Sequence, residues 1–294
     1  MAQLVRTGLF QYLMWDDYAS PSGYATTGVV DGGNLTIEPG TRKRIGISGA
    51  EVRKGGVITP AGSATFYLTA TNINILTNYG LRASYPRGVL KPINFKGGLD
   101  EFYWTYSGAL IGSFTIDWAV GEGVKSTIDW QSLNIKEDTS PVITTFNTET
   151  NDGFEDYEFD IKFGGVSYAV QSLSISVNNN ISVHSSGDGK TANTKRFPER
   201  LIYGAEELTV NLTTALPIPH SVLGTYIDCQ PDNLGIVLNG TNACTNETLT
   251  ITLTNLMQSD ASSMGFVDHA TAASFDYGFI GSSEAGSLAI SCTV

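Results

Sequence analysis

Charge is scarce in this chain. Only 16% of its 294 residues are Asp, Glu, Lys or Arg, where a soluble monomer carries about 25%. Surface that avoids charge must be covered, and a large contact between subunits is one way to cover it. Positive charge is scarcer still: 17 Lys plus Arg stand against 29 Asp plus Glu, for a net charge of −12. That balance argues against a broad basic surface that grips nucleic acid. Histidine and cysteine number three each. His184, His220 and His269 show no HExxH or paired spacing, and Cys229, Cys244 and Cys292 no CxxC spacing. Neither a zinc site nor a disulfide framework is expected, and the cysteines read as small buried hydrophobes. No run approaches the roughly 18 apolar residues that cross a membrane, so no membrane insertion is expected. The first twenty residues lack a small-residue cleavage site after a clean apolar core, so no signal peptide is expected either.

Catalytic motifs are also missing. There is no GxSxG elbow to anchor a serine hydrolase. Gly187-Asp-Gly-Lys-Thr191 resembles the end of a phosphate-binding loop, but His184 occupies the place of its first glycine, and a Pro-containing segment follows where a helix is required. Gly121-Glu-Gly123 reads as a tight hairpin turn. Glu149, Asp152, Glu155, Asp156, Glu158 and Asp160 crowd into twelve residues without the Asp-x-Asn-x-Asp-Gly order of a calcium loop. Such a run stays solvated because like charges repel. No catalytic residue, metal ligand or cofactor is expected, and the chain does not read as an enzyme.

What the sequence has is alternation. Ser113-Phe-Thr-Ile-Asp-Trp118, Ser172-Leu-Ser-Ile-Ser-Val177, Leu208-Thr-Val-Asn-Leu-Thr213 and Leu249-Thr-Ile-Thr-Leu-Thr254 each place apolar side chains on one sheet face and polar ones, mostly hydroxyls, on the other. The 32 glycines and the abundant Ser, Thr and Asn supply turns. Helical periodicity is nearly absent, with short helices expected near residues 72–79 and 219–226. The fold class is mainly β, sandwich or barrel-like, with short flanking helices and long hairpin loops.

The order of elements repeats. In the first half, Asn34-Leu-Thr-Ile37 enters a long loop and the chain returns in Ala64-Thr-Phe-Tyr-Leu-Thr69. In the second, Ser172-Leu-Ser-Ile175 enters a loop and returns in Glu207-Leu-Thr-Val-Asn-Leu-Thr213. A connector with proline nearby and another strand pair follow each return. This predicts two tandem β-domains, 1–135 and 161–294, joined by an acidic linker over 136–160. Nine of the 17 basic residues sit in the two matching loops: Arg42, Lys43, Arg44, Arg53 and Lys54 in the first, Lys190, Lys195, Arg196 and Arg200 in the second. Concentrated on an acidic chain, they suggest docking of one subunit's loops onto acidic surface of another.

The segment from Ser167 to Pro217 has a Ser-Leu-Ser-Ile strand, an Asn-rich turn, a long basic loop and a Gly-x-x-x-Leu-Thr-Val return. It resembles the major tail tube proteins of long-tailed, siphovirus-type phages. The strand, Gly turn and return strand between Ser107 and Ile135 look like that family too. The resemblance implies a virion structural protein of the tail, assembled in the host cytoplasm. Its subunits join sheets into rings, and rings stack into a hollow tube that surrounds a tape-measure protein and later passes DNA. It implies tail terminator and baseplate partners, and long loops that contact the neighbouring ring. Family rings use six single-domain subunits, so a duplicated chain is expected to close a ring as a trimer, with a hexamer as the other possibility. Other readings are a different ring-forming tail or injection-tube component, or a carbohydrate-binding adhesin domain using aromatics such as Trp118 and Trp130.

Overall fold

The computed structural model describes residues 12–28, 30–38, 41–45, 51–55, 58–82, 88–99, 102–138, 153–185, 197–218, 234–258, 263–266, 273–281 and 288–293. The chain is mainly β. In chain order the first strands are β1 (Tyr12–Asp17), β2 (Ala25–Thr26), β3 (Val30–Glu38), β4 (Thr41–Ile45), β5 (Glu51–Gly55) and β6 (Thr59–Tyr67). A short helix, α1 (Ile73–Ile75), runs on as a π turn over Leu76–Gly80, then come β7 (Ile93–Leu99), β8 (Phe102–Ala119) and β9 (Lys125–Asp138). A 3-10 turn over Asp156–Glu158 precedes β10 (Phe159–Phe163), β11 (Val166–Ser167), β12 (Val170–Asn178), β13 (Ile181–His184), β14 (Arg200–Tyr203) and β15 (Glu207–Thr214). The last are β16 (Leu234–Thr241), β17 (Thr248–Gln258), β18 (Ser263–Phe266), β19 (Ala273–Gly281) and β20 (Leu288–Thr293). The helix expected at 72–79 is the α1 turn; the one expected at 219–226 lies outside the described residues.

Alternation decides which side of each strand is buried. Along β6 and the start of β9 and β17, every second residue is buried, because consecutive side chains point to opposite faces. The buried set, including Phe66, Trp130, Phe114, Ile175, Val210, Ile251 and Phe279, forms one continuous core. Sixteen strands join a single antiparallel sheet with branches, while β4–β5 and β13–β14 stand apart as two-stranded ribbons. The segments expected as long loops are therefore paired hairpins at their bases. Their alternation is too short and too charged to announce a strand.

The two longest strands, β8 and β9, each pair with more than one neighbour along their length. The N-terminal half of β8 pairs with β7, its C-terminal half with β12, and β9 follows β8 along both. The β8–β9 register slips between Ile111 and Ser113, a bulge of the kind that kinks a strand and increases its twist. The hairpin closes at Gly121, whose φ of +85° suits a residue without a Cβ.

The same pairings occur twice along the chain. β1–β2, β1–β7, β3–β6, β6–β9 and β7–β8 have counterparts in β10–β11, β10–β16, β12–β15, β15–β19 and β16–β17. The irregularities recur too. β3 slips against β6 between Val30 and Gly32, as β12 does against β15 between Val170 and Ser172. β7 slips between Ile93 and Phe95, as β16 does between Leu234 and Ile236. The role of β9 is shared by β19, which pairs with β15, and β20, which pairs with β17.

Candidate functional site: a polar sheet face and two ribbons

Seven strands, in the order β3-β6-β9-β8-β12-β15-β19, run side by side across both halves of the chain. One face of this run is the core. The other carries hydroxyls, amides and a few carboxylates, the polar half of each alternating motif. The carboxylates are held by hydroxyls directly across the strand pair. Ser113 donates to Asp129 at 3.0 Å, Ser174 to Asp117 at 2.6 Å and Thr213 to Asp276 at 2.8 Å. Thr115 donates to the second oxygen of Asp117 at 3.0 Å. Where Thr213 meets Asp276, the first half has Thr65 and Thr127, whose hydroxyls lie 2.9 Å apart. All three aspartates are exposed, so the face presents oriented negative charge in a bed of neutral donors and acceptors. Its cation is tied down: Lys125 pairs with Asp31 at 2.9 Å and lies over the Tyr67 ring. The bond to Asp31 raises the Lys125 ammonium above its ordinary value, so it stays charged and neutralised.

Where β13 leaves this face there is a groove of about 440 Å³, lined by residues that include Asn34, Ser63, Asp129, Trp130, Asn178 and Ile181. Among the described residues that line it, Asp129 has the one ionisable side chain. The groove can hold water and polar groups. It does not bring together the paired acid and base that proton transfer needs.

The base of the β13–β14 ribbon is fixed by Arg82. Its guanidinium donates to Asn179 Oδ1 at 3.1 Å, to the Asn179 carbonyl at 2.8 Å and to the Gly204 carbonyl at 2.6 Å. It also lies 3.4 Å from Glu206 and over the Tyr203 ring. Asn179 is fully buried, and its amide donates to the carbonyls of Gly80 and Ile111, each at 3.0 Å. This knot ties the end of the α1 turn to the ribbon and to the β8 bulge. Sequence reasoning missed it. Asn179 sits in a run of three asparagines that reads as a turn, and nothing in the sequence links it to an arginine 97 positions earlier.

The basic residues singled out from sequence fall as follows. Arg42, Lys43 and Arg44 lie on β4, Arg53 and Lys54 on β5, in a register that sets Arg42 opposite Lys54 and Lys43 opposite Arg53. Arg200 opens β14, exposed and opposite His184. Lys190, Lys195 and Arg196 lie outside the described residues. Basic residues thus take directly opposite register positions along the β4–β5 pair.

Two expectations need correction. The acidic stretch is not simply solvated. Glu155 and Glu158 form a reciprocal cap on the 3-10 turn, Glu158 also accepts from the Ala243 N–H at 2.6 Å, and Asp156 accepts from the Gly121 N–H at 2.8 Å. Asp160 pairs with Lys162 at 3.0 Å, and that bond and the Ser167 hydroxyl hold its carboxyl below the ordinary value. Donors from the stretch itself and from the Gly121 and Ala243 turns answer the repulsion; Glu149 and Asp152 lie outside the described residues. Nor are the cysteines uniformly buried. Cys244 is exposed in a turn, Cys292 is half-buried beside the core, and both are free thiols; Cys229 lies outside the described residues. Burial raises the Cys292 thiol.

A mainly β chain with a long antiparallel sheet, a polar face and projecting ribbons is the class that these observations define. Residues 88–218 match the family model described as phage tail tube protein, a span that begins before β7 and ends just past β15. The resemblance to phage tail tube proteins is thus shown over that span, and it supports a structural protein of the virion tail. No curated protein matches the chain.

Proposed function

We propose that the chain is a tail tube subunit made of two tandem β-units, 1–135 and 161–294. Three copies close a ring, rings stack into a tube, and the polar sheet face lines the channel through which DNA passes. The observation that carries this reading is the twofold pairing scheme, bulges included, joined by the β8–β12 pairing into one continuous sheet. If one internal seam joins two units, further seams of the same kind join further copies. Closed rings also cover strand edges that would otherwise invite aggregation.

A lumen lined with exposed aspartates repels a passing polyanion weakly everywhere, while hydroxyls offer no fixed cation to hold it. The basic ribbons are proposed to stack rings, docking on acidic surface of the next ring. The tube would enclose a tape-measure protein, meet terminator and baseplate proteins at its ends, and assemble in the host cytoplasm. The role is structural rather than catalytic.

The test is electron microscopy of the concentrated protein. Tubes whose rings contain three chains with pseudo-sixfold symmetry are expected. Six whole chains per ring would refute the trimer. Isolated rings would favour another tail component, and a persistent monomer would remove the tube reading.

A further inference from the structure

The seven-strand run ends at β3 on one side and on the other at β19, whose outer edge is taken by β18 and the end of β17. Among the described residues β3 pairs only with β6, and β18 only with β19. We propose that the β3 edge of one copy and the β18 edge of a second copy form an antiparallel seam in one register, with Thr36 opposite Ser263 and Asn34 opposite Gly265. This inference rests on the ring reading and adds to it which strands meet and how they align.

The register follows from the internal seam. Thr65 faces Thr127, Thr127 faces Thr115, and Thr115 faces Ser176 across β8–β12. In the second half Thr213 faces Asp276, and Asp276 faces Ser263. Thr65 and Thr213 are counterparts, because each faces the first residue after the matching bulge, Gly32 and Ser172. Ser263 therefore stands where Thr115 stands. Counting from the same bulge, Thr36 stands where Ser176 stands. Met264, Gly265 and Phe266 then fall opposite Leu35, Asn34 and Gly33.

Two different edges meet in this seam, so the contact is head-to-tail. It repeats around an axis instead of ending in a twofold dimer. The two seams also differ in chemistry. The internal one is clamped by the bond from Ser174 to Asp117. At the same level between copies stand Gly265 and Asn34, with no carboxylate. The seam between chains rests on backbone pairing and forms and opens more readily than the one within a chain.

Directly opposite positions in an antiparallel pair have Cα atoms about 4.5–5.5 Å apart, within disulfide reach. Positions two residues off register lie roughly 7–8 Å apart and do not bridge without movement. The experiment starts from a chain with Cys229→Ser, Cys244→Ser and Cys292→Ser. One derivative adds Thr36→Cys and Ser263→Cys, a second adds Asn34→Cys and Ser263→Cys, and a control adds Thr115→Cys and Ser176→Cys. Each is oxidised after assembly. The control should form its bond within one chain. The first derivative should lose its monomer band to chain-to-chain disulfides, and the second should keep it. Rings in which the first derivative stays unlinked, or in which the second links instead, overturn the seam while leaving the ring reading intact. An unsubstituted chain that never forms rings removes both. If the cysteine chains do not assemble, a cryo-EM map of the unsubstituted tube decides: β18 of a neighbour beside β3 in this register supports the seam, and any other neighbour overturns it.

Discussion

Gly62 lies under the indole of Trp130, its partner in the β6–β9 pairing, so closely that a Cβ at position 62 would stand 2.3 Å from the ring. At the corresponding place in the second half Val210 faces Phe279. The space between the strands is shared differently: nothing plus indole in one, isopropyl plus phenyl in the other. Volume-conserving exchange of this kind is what a dense core tolerates. Gly62→Ala should therefore destabilise the folded chain by about 1–3 kcal/mol, the usual cost of overpacking. Trp130→Phe, costly alone, should recover part of that loss when combined with it. Denaturant midpoints of the two single variants and the double variant check the coupling.

The Arg82 knot gives a second expectation. Asn179→Ala leaves the buried carbonyls of Gly80 and Ile111 without their side-chain donor, and each orphaned group costs about 1–3 kcal/mol. Arg82→Lys keeps the charge but loses the planar fork that reaches three acceptors. Both variants should show a lowered Tm. They should also show faster amide exchange at residues 181–184 and 200–203, with little change in the first-half strands β6 and β9. Uniformly faster exchange across the whole sheet would mean that the knot serves general stability and not the ribbon's base.

Asp17 carries a pH dependence. Its burial works to raise the carboxyl, but the Lys91 ammonium and the Ser20 and Ala19 N–H groups outweigh it and hold the group below its ordinary value of 3.8. A depressed folded-state value means that the unfolded chain takes up the proton first on acidification. The stabilisation is complete above pH 3.8 and is lost as pH falls through the folded-state value. Lys91→Met should remove the lysine's share of it, so the stability curves of the two chains should converge in strong acid and separate toward neutral pH. Parallel curves throughout would show that the pair contributes nothing.

The basic residues of the second segment are testable together. Replacing Lys190, Lys195, Arg196 and Arg200 with Ser or Gln should leave a folded subunit that polymerises poorly and with less dependence on salt. Each exposed ion pair adds only about 0.2–1 kcal/mol, but repetition around a ring multiplies it. Tubes that form at the usual rate and salt dependence would leave the ribbons without a stacking role.

The lumen reading predicts a change in transport without a change in fold. Asp117→Asn, Asp129→Asn and Asp276→Asn keep an oxygen that accepts from Ser174, Ser113 and Thr213, so stability should move within about 0.5 kcal/mol per site. Asp→Lys at the same three positions should slow DNA release from assembled particles, and added salt should restore it by screening. Release at an unchanged rate would place this face elsewhere than the channel.

Much of this was legible in advance, for a physical reason. Alternation reports which side of a strand faces the core, so Ser113–Trp118 and Ser172–Val177 announced both their strands and their polar face. It does not report which strand lies alongside. Hence the pairing of Asp117 with Ser174, and the whole β8–β12 seam, appear only in three dimensions. In sequence the ribbons read as loops, because like charges at facing positions such as Arg42 and Lys54 run against strand pairing. The acidic stretch reads as solvated because the N–H groups that serve Asp156 and Glu158, those of Gly121 and Ala243, are distant in sequence.

The two pairing schemes agree in their bulges but not in their side chains: Asp117 corresponds to Gly265, Thr127 to Asp276 and Gly62 to Val210. In a ring built from one repeated small unit, every substitution appears at all equivalent places at once, and a change that is tolerable singly is imposed on the whole circumference. Two linked units in one chain, as proposed, would release that constraint. In the proposed ring of three two-unit chains, alternate places would be tuned separately, one for packing and the next for charge, and the lining would carry a threefold rhythm inside a sixfold wall.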